Sequence, residues 1–475
     1  MTDGGKGARA GRPGGGNAKA GRAKNGSGNA KAGRAKNGGV NERELALEIL
    51  LLVTRDGVHS HLALSDVLGK YQYLEKKSRA FISCLVQGTL ERMLEMDYVI
   101  DRFSKTPVKK MKPLIRCILR SGVYQILYMD GVRDAAACDE AVRLAVKKGF
   151  SGLKGFVNGV LRAVCRAKDA GVLSYPDEEA SPEEYLSVCC SIPPWLVQRW
   201  VADYGYADAK QICLMSLQKK PTAVRVSTAR ISVEELKREL SEEGISVRES
   251  GADGALLIDG YDFLGKIPAF VRGDFYVQDI SSVQAVQAAG IKPGWNIIDV
   301  CAAPGGKAVY AAQLAGERGR VLARDLTAYK TALIEENRER CHADNLSVEV
   351  WDATVPDDGI AKSADLVIAD LPCSGLGVLR GKPDIKYNMS PEQMRELAAL
   401  QREILSVVQA YVKPGGRFLY STCTISRMEN EDNAAWFLQA FPGFSLVCEE
   451  QLFPDETRDG FYFAVFEERG HGTTF

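Results

Sequence analysis

Two cysteines lie in polar segments that directly follow apolar, strand-like segments late in the chain. Cys373 belongs to ADLPCSGLGVLRGKPD, residues 369–384, and Cys423 belongs to YSTCTISRMENED, residues 420–432. A cysteine thiolate is a nucleophile and can form covalent intermediates. Most of the twelve cysteines are expected to be small buried apolar residues. Cys373 and Cys423 are expected to differ from these buried cysteines, because both would face one crevice at the ends of adjacent strands.

The segment NIIDVCAAPGGKAVYAAQL, residues 296–314, has the pattern of a buried strand, a small-residue turn and a helix. Gly305 and Gly306 allow a ligand to approach the backbone, and the helix N-terminus offers free N–H groups. This arrangement suits a nucleotide-like cofactor at the carboxyl end of the first strand. On spacing alone, a tight structural turn is an equally good interpretation.

Aspartates end the next three predicted strands. Asp325 ends VLARD, Asp352 ends VEVWD and Asp370 ends DLVIAD. A carboxylate at the tip of the second strand can accept hydrogen bonds from both ribose hydroxyls, and one at the third can accept an adenine amine. The ordinary alternative is a solvated loop carboxylate. Their regular placement at strand ends favours ligand contacts.

Strands and helices alternate from Gly290 onwards, which predicts a parallel sheet with helices on both faces. We therefore expect an α/β Rossmann-like domain over residues 276–475. The predicted strands are WNIIDV, RVLA, SVEVW, DLVIAD and RFLYS.

Two helix starts are predicted by capping boxes. Ser390 and Gln393 form one, with Pro391 at the first helical position. Ser426 and Glu429 form the other. The second box would place the segment around Cys423 one turn before a helix N-terminus, a position that favours a thiolate.

The rest of the chain divides into four stretches by composition and periodicity. Residues 41–170 repeat apolar residues at three- and four-residue spacings, which predicts an all-helical domain. Residues 171–189 are acidic, contain proline and read as a linker, and residues 190–275 predict a small α+β module. Residues 1–40 are Gly-rich and basic, contain a near-perfect tandem repeat, and are predicted to be disordered.

Charge and composition exclude several classes of protein. Lys plus Arg and Asp plus Glu both number 61, but residues 1–39 hold nine basic residues and one acid. The basic tail is interpreted as a phosphate-binding arm or as a solvated tail without a role. The chain contains neither a secretory pattern nor a membrane-length apolar run, so we expect a cytoplasmic protein with no membrane partner. Four histidines and unpaired cysteine spacings argue against a metal.

Three motifs, CAAPGGK, DLPCSG and YSTC, in this order and spacing, resemble the RNA (cytosine-5)-methyltransferase family. FVNGVLR at 156–162 and GDFYVQDISS at 273–282 extend the resemblance, which runs from about residue 41 to about residue 467. The most similar subgroup consists of bacterial 16S ribosomal RNA methyltransferases with a NusB-like domain. The resemblance implies a multidomain protein: an all-α NusB-like N-terminal domain, a small α+β RNA-binding module and a class I methyltransferase domain. It also implies that the protein uses S-adenosylmethionine.

The same resemblance implies roles for individual residues. Cys423 would attack carbon 6 of a cytosine, Cys373 would assist product release, and Asp370 would also hold N3 of the base. The residues implied to contact S-adenosylmethionine are Cys301, Ala302, Ala303, Pro304, Gly305, Gly306, Lys307, Asp325, Asp352 and Asp370. Gly381-Lys382 replaces the Arg-His pair of relatives, which removes a possible RNA contact and is expected to leave the catalytic positions unaffected. Arg162 is a further candidate for phosphate binding.

Three alternatives stay open at this point. A DNA cytosine-5 methyltransferase would use Cys373 as nucleophile, although YSTC and the NusB-like domain argue against it. An RNA-binding scaffold with a methyltransferase shell is not excluded by fold alone. Transfer RNA or 23S ribosomal RNA could replace 16S ribosomal RNA as the substrate. A monomer is expected.

Overall fold

A computed structural model describes residues 40–470. The predictions for the basic tail lie outside these residues. The described part begins with a bundle of helices whose apolar faces form a common core, as the sequence periodicity predicts. Its helices are α1 (Glu42–Thr54), α2 (Ser60–Lys70), α3 (Lys76–Glu91), α4 (Met93–Phe103), α5 (Pro113–Tyr128), α6 (Asp134–Lys147) and α7 (Lys154–Asp169).

Two further helices connect this bundle to a small sheet. They are α8 (Pro182–Cys189) and α9 (Pro194–Met215). Residues 171–189, predicted as a linker, therefore end in a helix. Leu186 of α8 is fully buried with Trp200 of α9, so this part of the segment packs into an apolar core.

The small module is an antiparallel sheet covered by a helix, which confirms the predicted α+β class. Its elements are β1 (Thr222–Val226), α10 (Val233–Glu242), β2 (Ser246–Glu249), β3 (Ala255–Asp259), α11 (Pro268–Val271) and β4 (Phe275–Val277). The strand order is β2-β3-β1-β4. Leu236 and Leu240 of α10 pack on Val224 and Ile258 of the sheet. Ser232 and Glu235 form a reciprocal capping box at the start of α10.

The remaining elements form the predicted α/β domain around a seven-stranded sheet of order β10-β11-β9-β8-β5-β6-β7. β5 to β9 are parallel, and β11 lies antiparallel between β9 and β10. The elements are α12 (Ile280–Ala288), β5 (Asn296–Asp299), α13 (Gly306–Ala315), β6 (Arg320–Asp325), α14 (Ala328–Arg340), β7 (Leu346–Val350), β8 (Ala364–Asp370), α15 (Ile385–Asn388), α16 (Pro391–Val408), β9 (Val412–Thr422), α17 (Glu431–Ala440), β10 (Phe444–Leu452) and β11 (Phe461–Glu468).

This topology determines where a ligand can bind. From β5 the chain proceeds to β6 and β7 on one side and then to β8 and β9 on the other. In open α/β sheets, ligands bind outside the carboxyl ends of the strands at such a reversal of strand order. The loops after β5, β8 and β9 meet at that edge.

The loop between β8 and α16 also contacts the helical bundle. Asp384 accepts a hydrogen bond from Ser60 at the start of α2. The ammonium of Lys386 donates to the carbonyl oxygen of Glu91 at 2.8 Å. The hydroxyl of Tyr387 donates to the carbonyl oxygen of Ser191 at 3.2 Å. These contacts fix one rim of the ligand-binding edge against the N-terminal domain.

Two negative findings apply to residues 40–470 only. No helix there is long and apolar enough to cross a bilayer. No group of three or more His, Cys, Asp or Glu side chains there has the geometry to hold a metal ion.

Candidate active site

Residues 299–307, which we call the glycine side of the site, begin with the last residue of β5 and lead into α13. Gly305 precedes α13 with a φ of +106°, a conformation that strains any residue with a side chain. A Cβ on Gly306 would lie 3.0 Å from the Tyr276 ring. A larger residue at either glycine would therefore crowd its neighbours, and Gly306 and Lys307, the first residues of α13, line a cleft.

The two aspartates predicted to contact a nucleoside differ in their surroundings. Asp325 is buried and accepts hydrogen bonds from the backbone N–H of Ala303 at 3.0 Å and of Leu326 at 2.8 Å. Asp352 is exposed, and hydrogen bonds from Thr354 lower its pKa. Asp325 thus supports the turn of the glycine side, and neither Asp325 nor Asp352 is among the residues that line the cleft beside it.

A third carboxylate, Asp299, was not singled out by the sequence analysis. It ends β5 fully buried, and neither of its oxygens has a hydrogen-bond partner among residues 40–470. Burial, followed by the neighbouring carboxylate of Asp370, raises its pKa to about 8. The signal was visible in NIID, where a charged residue ends an otherwise apolar strand. A cationic ligand group would compensate this isolated acid.

Lys307 and Asp370 connect the glycine side to the next strand. The ammonium of Lys307 lies 2.7 Å from Asp370 and 3.1 Å from the hydroxyl of Ser282. Asp370 and Ser421 are partners in the register of β8 and β9, and the Ser421 hydroxyl donates to Asp370 at 2.8 Å. Ser421 thus holds one carboxylate oxygen of Asp370, and Lys307 holds the other.

Residues 370–376 and 421–430, which we call the thiol side, bring the two predicted cysteines together. Their sulfur atoms are 3.4 Å apart, although fifty residues separate them in the chain. The hydrogen bond with Cys373 lowers the pKa of Cys423 below that of an ordinary thiol. The same hydrogen bond and burial raise the pKa of Cys373. The pair therefore favours a thiolate on Cys423 and a neutral thiol on Cys373.

A buried carboxylate holds the two loops of the thiol side in place. Glu429 accepts hydrogen bonds from the Ser374 backbone N–H at 2.8 Å and the Ser374 hydroxyl at 2.5 Å. The Gln401 amide donates to Glu429 at 3.2 Å and to the Pro372 carbonyl at 2.9 Å. Burial raises the pKa of Glu429. This role of Glu429 is not apparent from its local sequence, because its partners Ser374 and Gln401 lie far away in the chain.

The second predicted capping box is therefore wrong. Glu429 faces Ser374 and does not cap a helix, and α17 begins only at Glu431. A helix N-terminus one turn after Cys423 does not exist, so the helix dipole is not what lowers its pKa. The first box is present in part, since Ser390 accepts from the Gln393 N–H with Pro391 at the helix start.

The glycine side and Asp370 line a cleft of about 470 Å³. Lys382 also lines it, and its charge contributes to the lowered pKa of Cys423. The effect of the substitution at Gly381-Lys382 on the catalytic positions stays a prediction, but Lys382 lies close enough to Cys423 to act on its pKa. Lys382 reaches the cleft because the neighbouring Asp384 and Lys386 fasten this loop to the helical bundle.

The comparisons with known proteins agree with this geometry. A family model described as 16S rRNA methyltransferase RsmB/F matches residues 288–467. The chain is 35% identical over 421 residues to "Probable ribosomal RNA small subunit methyltransferase B" of Bacillus subtilis (strain 168), and the alignment covers 88% of this chain and 92% of that protein. The chain belongs to the 16S rRNA methyltransferase RsmB/F family. A NusB family model matches residues 40–166, and an RsmF/B-like ferredoxin-like domain matches residues 192–261.

Other relatives support the same membership. "Ribosomal RNA small subunit methyltransferase B" of Erwinia tasmaniensis is 31% identical over 439 residues, which cover 89% of this chain and 98% of that protein. The crystal structure of PH0851 matches with a TM-score of 0.76 at 24% identity, over 90% of this chain and 99% of that one. NSun6 from Pyrococcus horikoshii with SFG matches with a TM-score of 0.53 at 22% identity, over 58% and 98%. These two likenesses show the fold.

Family membership confirms several predictions. The protein is an S-adenosylmethionine-dependent RNA methyltransferase with a NusB domain, a ferredoxin-like module and a methyltransferase domain. S-adenosylmethionine, which carries a sulfonium and an ammonium, fits a cleft lined by Gly306 and by Asp299, a buried carboxylate without a hydrogen-bond partner in the described part of the chain. The roles of the individual residues remain predictions.

Proposed function

We propose that this protein methylates carbon 5 of a cytosine in 16S ribosomal RNA through a covalent bond between Cys423 and carbon 6 of the base. The observation that carries the proposal is the pair of thiols, 3.4 Å apart, at the ends of adjacent strands beside the Lys307–Asp370 ion pair. Two thiols with opposite pKa shifts suit a reaction in which one attacks and the other assists.

The chemistry requires a nucleophile because carbon 5 of cytosine is unreactive by itself. Addition of the Cys423 thiolate to carbon 6 moves the ring electrons toward carbon 5, which can then attack an electrophilic carbon. When bound, S-adenosylmethionine supplies the electrophilic methyl group. The lowered pKa of Cys423 increases the fraction of the reactive thiolate.

Asp370 and Lys307 are placed to act on the ring. The Asp370 carboxylate can hold N3 of the base and stabilise positive charge as it develops there. The Lys307 ammonium and the Ser421 hydroxyl fix the orientation of this carboxylate. In this proposal Asp370 contacts the base, and Lys307 orients the carboxylate of Asp370.

Cys373 assists the last step. After methyl transfer, a base such as a water molecule takes the carbon 5 proton, and the electron pair of that C–H bond forms the double bond between carbon 5 and carbon 6. The electron pair of the carbon 6–sulfur bond returns to Cys423, which restores the aromatic ring. The thiol of Cys373 can donate a hydrogen bond to the departing sulfur and so make it a better leaving group. This division of roles disfavours a DNA-type mechanism, in which Cys373 would attack.

The glycine side is proposed to hold the methyl donor. The backbone from Cys301 to Lys307, including Ala302, Ala303, Pro304, Gly305 and Gly306, most of which lines the cleft, would hold its methionine end and ribose. Asp325, which accepts a hydrogen bond from the Ala303 N–H, would hold the ribose hydroxyls. Asp299, which also lines the cleft, would hold its cationic groups. For Asp352, which is exposed beyond β7, the proposal is an adenine contact at the open end of the site.

The choice of 16S ribosomal RNA rests on relatives named for the small ribosomal subunit. A flipped-out or unpaired cytosine is required, because a stacked base cannot reach the cleft. A monomeric state and a cytoplasmic location belong to the same proposal.

A methylation assay tests the proposal. Wild-type protein and the Cys423→Ala and Cys373→Ala variants are incubated with unmodified 16S RNA and labelled S-adenosylmethionine. We expect no label with Cys423→Ala, and an RNA adduct that survives denaturation with Cys373→Ala. Cys448→Ala, a matched control on β10, should label like the wild type.

Three results would contradict different parts of the proposal. Full labelling by Cys423→Ala would exclude this residue as the nucleophile and make Cys373 the candidate. Labelling of transfer RNA or 23S RNA but not of 16S RNA would keep the chemistry and overturn the substrate. Absence of labelling on every RNA, with intact S-adenosylmethionine binding, would favour a non-catalytic RNA-binding role.

A further inference from the structure

A second cavity, of about 680 Å³, lies beside the catalytic cleft. We call it the junction cavity because all three parts of the protein line it. Gln87 comes from α3 of the helical bundle, Gln218 and Lys219 follow α9, and Tyr261 comes from the small module. Arg380 belongs to the loop that follows Cys373. No catalytic residue named above lies in this cavity.

The junction cavity borders the catalytic cleft. Val277 and Asp279 line both spaces, and Gly381 of the cavity is followed by Lys382 of the cleft. An RNA strand that places one base in the cleft continues on either side of it. The junction cavity is therefore adjacent to the path of the next nucleotide.

The wall between the two spaces is built from paired charges. Lys220 contacts Asp279 and also Asp459, the latter at 2.5 Å. Arg380 contacts Asp459 at 3.1 Å and donates to the Asp455 carbonyl at 2.6 Å. Because Lys220 and Arg380 are already paired with carboxylates, they are not free to bind a phosphate. They hold the wall between the two spaces in place.

Other groups in the cavity remain available. The side chains of Gln87, Gln218 and Lys219 are exposed, and within residues 40–470 the two glutamine side chains make no hydrogen bond. Lys219 interacts electrostatically with the carboxyl of Glu91, which also lines the cavity and whose pKa is raised by burial. Amide side chains can donate to and accept from base edges, and an ammonium can contact a phosphate. Leu217 and Tyr261 add apolar surface against which a base can pack.

We propose that the junction cavity is a subsite for the unpaired nucleotide next to the target cytosine, with Gln87 and Gln218 contacting its base and Lys219 contacting a phosphate. This inference rests on the proposed function, which places the target base in the cleft. It gives the helical bundle and the small module a direct part in selecting the RNA segment to be methylated.

The test combines protein variants with altered RNA. A 16S fragment that the wild type methylates is prepared with an abasic residue on the 5′ side or the 3′ side of the methylated cytosine. One of these changes is expected to lower wild-type kcat/KM about tenfold, because a stacked and hydrogen-bonded base is lost. In the Gln87→Ala/Gln218→Ala double variant the same change should cost only about threefold, because the hydrogen bonds are already missing and only the packing against Leu217 and Tyr261 is lost.

Lys219 should behave differently from the glutamines. Lys219→Ala is expected to lower kcat/KM on intact and abasic RNA equally, and to reduce the slope of log Kd against log salt concentration by about one. Two exposed residues outside the cavity serve as matched controls. Gln211→Ala on α9 and Lys292→Ala before β5 should keep the full abasic penalty and the wild-type salt slope.

The outcomes separate this inference from the proposed function. If the double variant retains the full abasic penalty on both sides of the target, or if Lys219→Ala leaves the salt slope unchanged, the subsite is overturned and the proposed chemistry stands. Digestion of the product to nucleosides, followed by liquid chromatography and mass spectrometry against standards methylated at each position, identifies the methylated atom. A methyl group elsewhere than carbon 5 of cytosine would overturn the proposed function, and the abasic penalty measured around that nucleotide would still decide the subsite.

Discussion

The glycine side of the cleft is one continuous stretch, residues 299–307, whereas the thiol side joins two loops whose cysteines are fifty residues apart. The glycine side offers backbone groups around a turn that Gly305 makes possible. The thiol side offers side chains, and its geometry depends on the buried Glu429 that links both loops. One side is thus fixed by local backbone conformation, and the other by long-range hydrogen bonds.

This difference has a consequence for mutations. A change on the glycine side is expected to act on ligand binding, since the backbone there faces the cleft. A change in the network behind the thiol side is expected to act on stability and on the sulfur pair without touching any ligand. Four predictions test this contrast, from the largest expected effect to the smallest.

The largest effect is expected where the two sides meet. Lys307→Met removes the ammonium that holds Asp370 at 2.7 Å and leaves that carboxylate without its cation. We expect kcat/KM to fall by about 100-fold or more, a magnitude typical of removing a stabilising group from an active site. Steady-state methylation of 16S RNA measures it. Lys292→Met is the matched control, and a fall of less than threefold in Lys307→Met would contradict the assigned role.

Glu429→Gln tests the network behind the thiol side. The variant places an amide N–H₂ near donors from Ser374, so at least one buried donor loses its acceptor. We expect a loss of about 1–3 kcal/mol in the free energy of unfolding. Urea unfolding measures it, with the exposed Glu396→Gln of α16 as the control, for which a change within about 0.5 kcal/mol is expected. Equal stabilities of the two variants would mean that Glu429 does not hold the loops.

The sulfur pair predicts a pH dependence. Because the pKa of Cys423 is lowered, its thiolate forms at lower pH than that of a free thiol, whose pKa is about 8.5. Alkylation of Cys423 by iodoacetamide, followed by peptide mass spectrometry, should therefore rise at lower pH than alkylation of N-acetylcysteine. Cys373→Ala removes the stabilising hydrogen bond and should move this rise to higher pH. An unchanged profile in the variant would show that the neighbouring thiol does not stabilise the thiolate.

The smallest effect is expected for Lys382, whose side chain is exposed and whose charge is screened by salt. Lys382→Met should move the alkylation profile of Cys423 slightly to higher pH at low ionic strength, because a stabilising positive charge is lost. Lys382→Arg should keep the wild-type profile, and high salt should reduce the difference. A shift of equal size in both variants would mean that packing, and not charge, is responsible.

The features of the site that depend on residues close together in the chain could be predicted from the sequence. The strand, turn and helix around Gly305 and Gly306 were readable because they form one local motif. The positions of Cys373 and Cys423 followed from two loops at the ends of parallel strands. The five predicted strands did not include β10 and β11. These two strands extend the sheet beyond β9, with β11 paired to β9 and β10 at the edge.

What depends on distant partners was not predictable from the sequence. The local pattern around Glu429 resembled a helix cap, but a stronger set of donors 55 residues away at Ser374 uses that carboxylate. The place of Lys382 depends on Asp384 binding Ser60, 324 positions earlier in the chain. The isolation of Asp299 results from burial by the whole sheet.

The central claim is that Cys423 forms the covalent bond to the base. The most direct measurement uses a 16S fragment in which 5-fluorocytidine replaces cytidine at the target, because carbon–fluorine bonding prevents the final elimination and leaves the protein attached to the RNA. After nuclease and protease digestion, mass spectrometry identifies the modified peptide. The account predicts a methylated fluorocytidine on the peptide that contains Cys423, and the same adduct on Cys373 would contradict it.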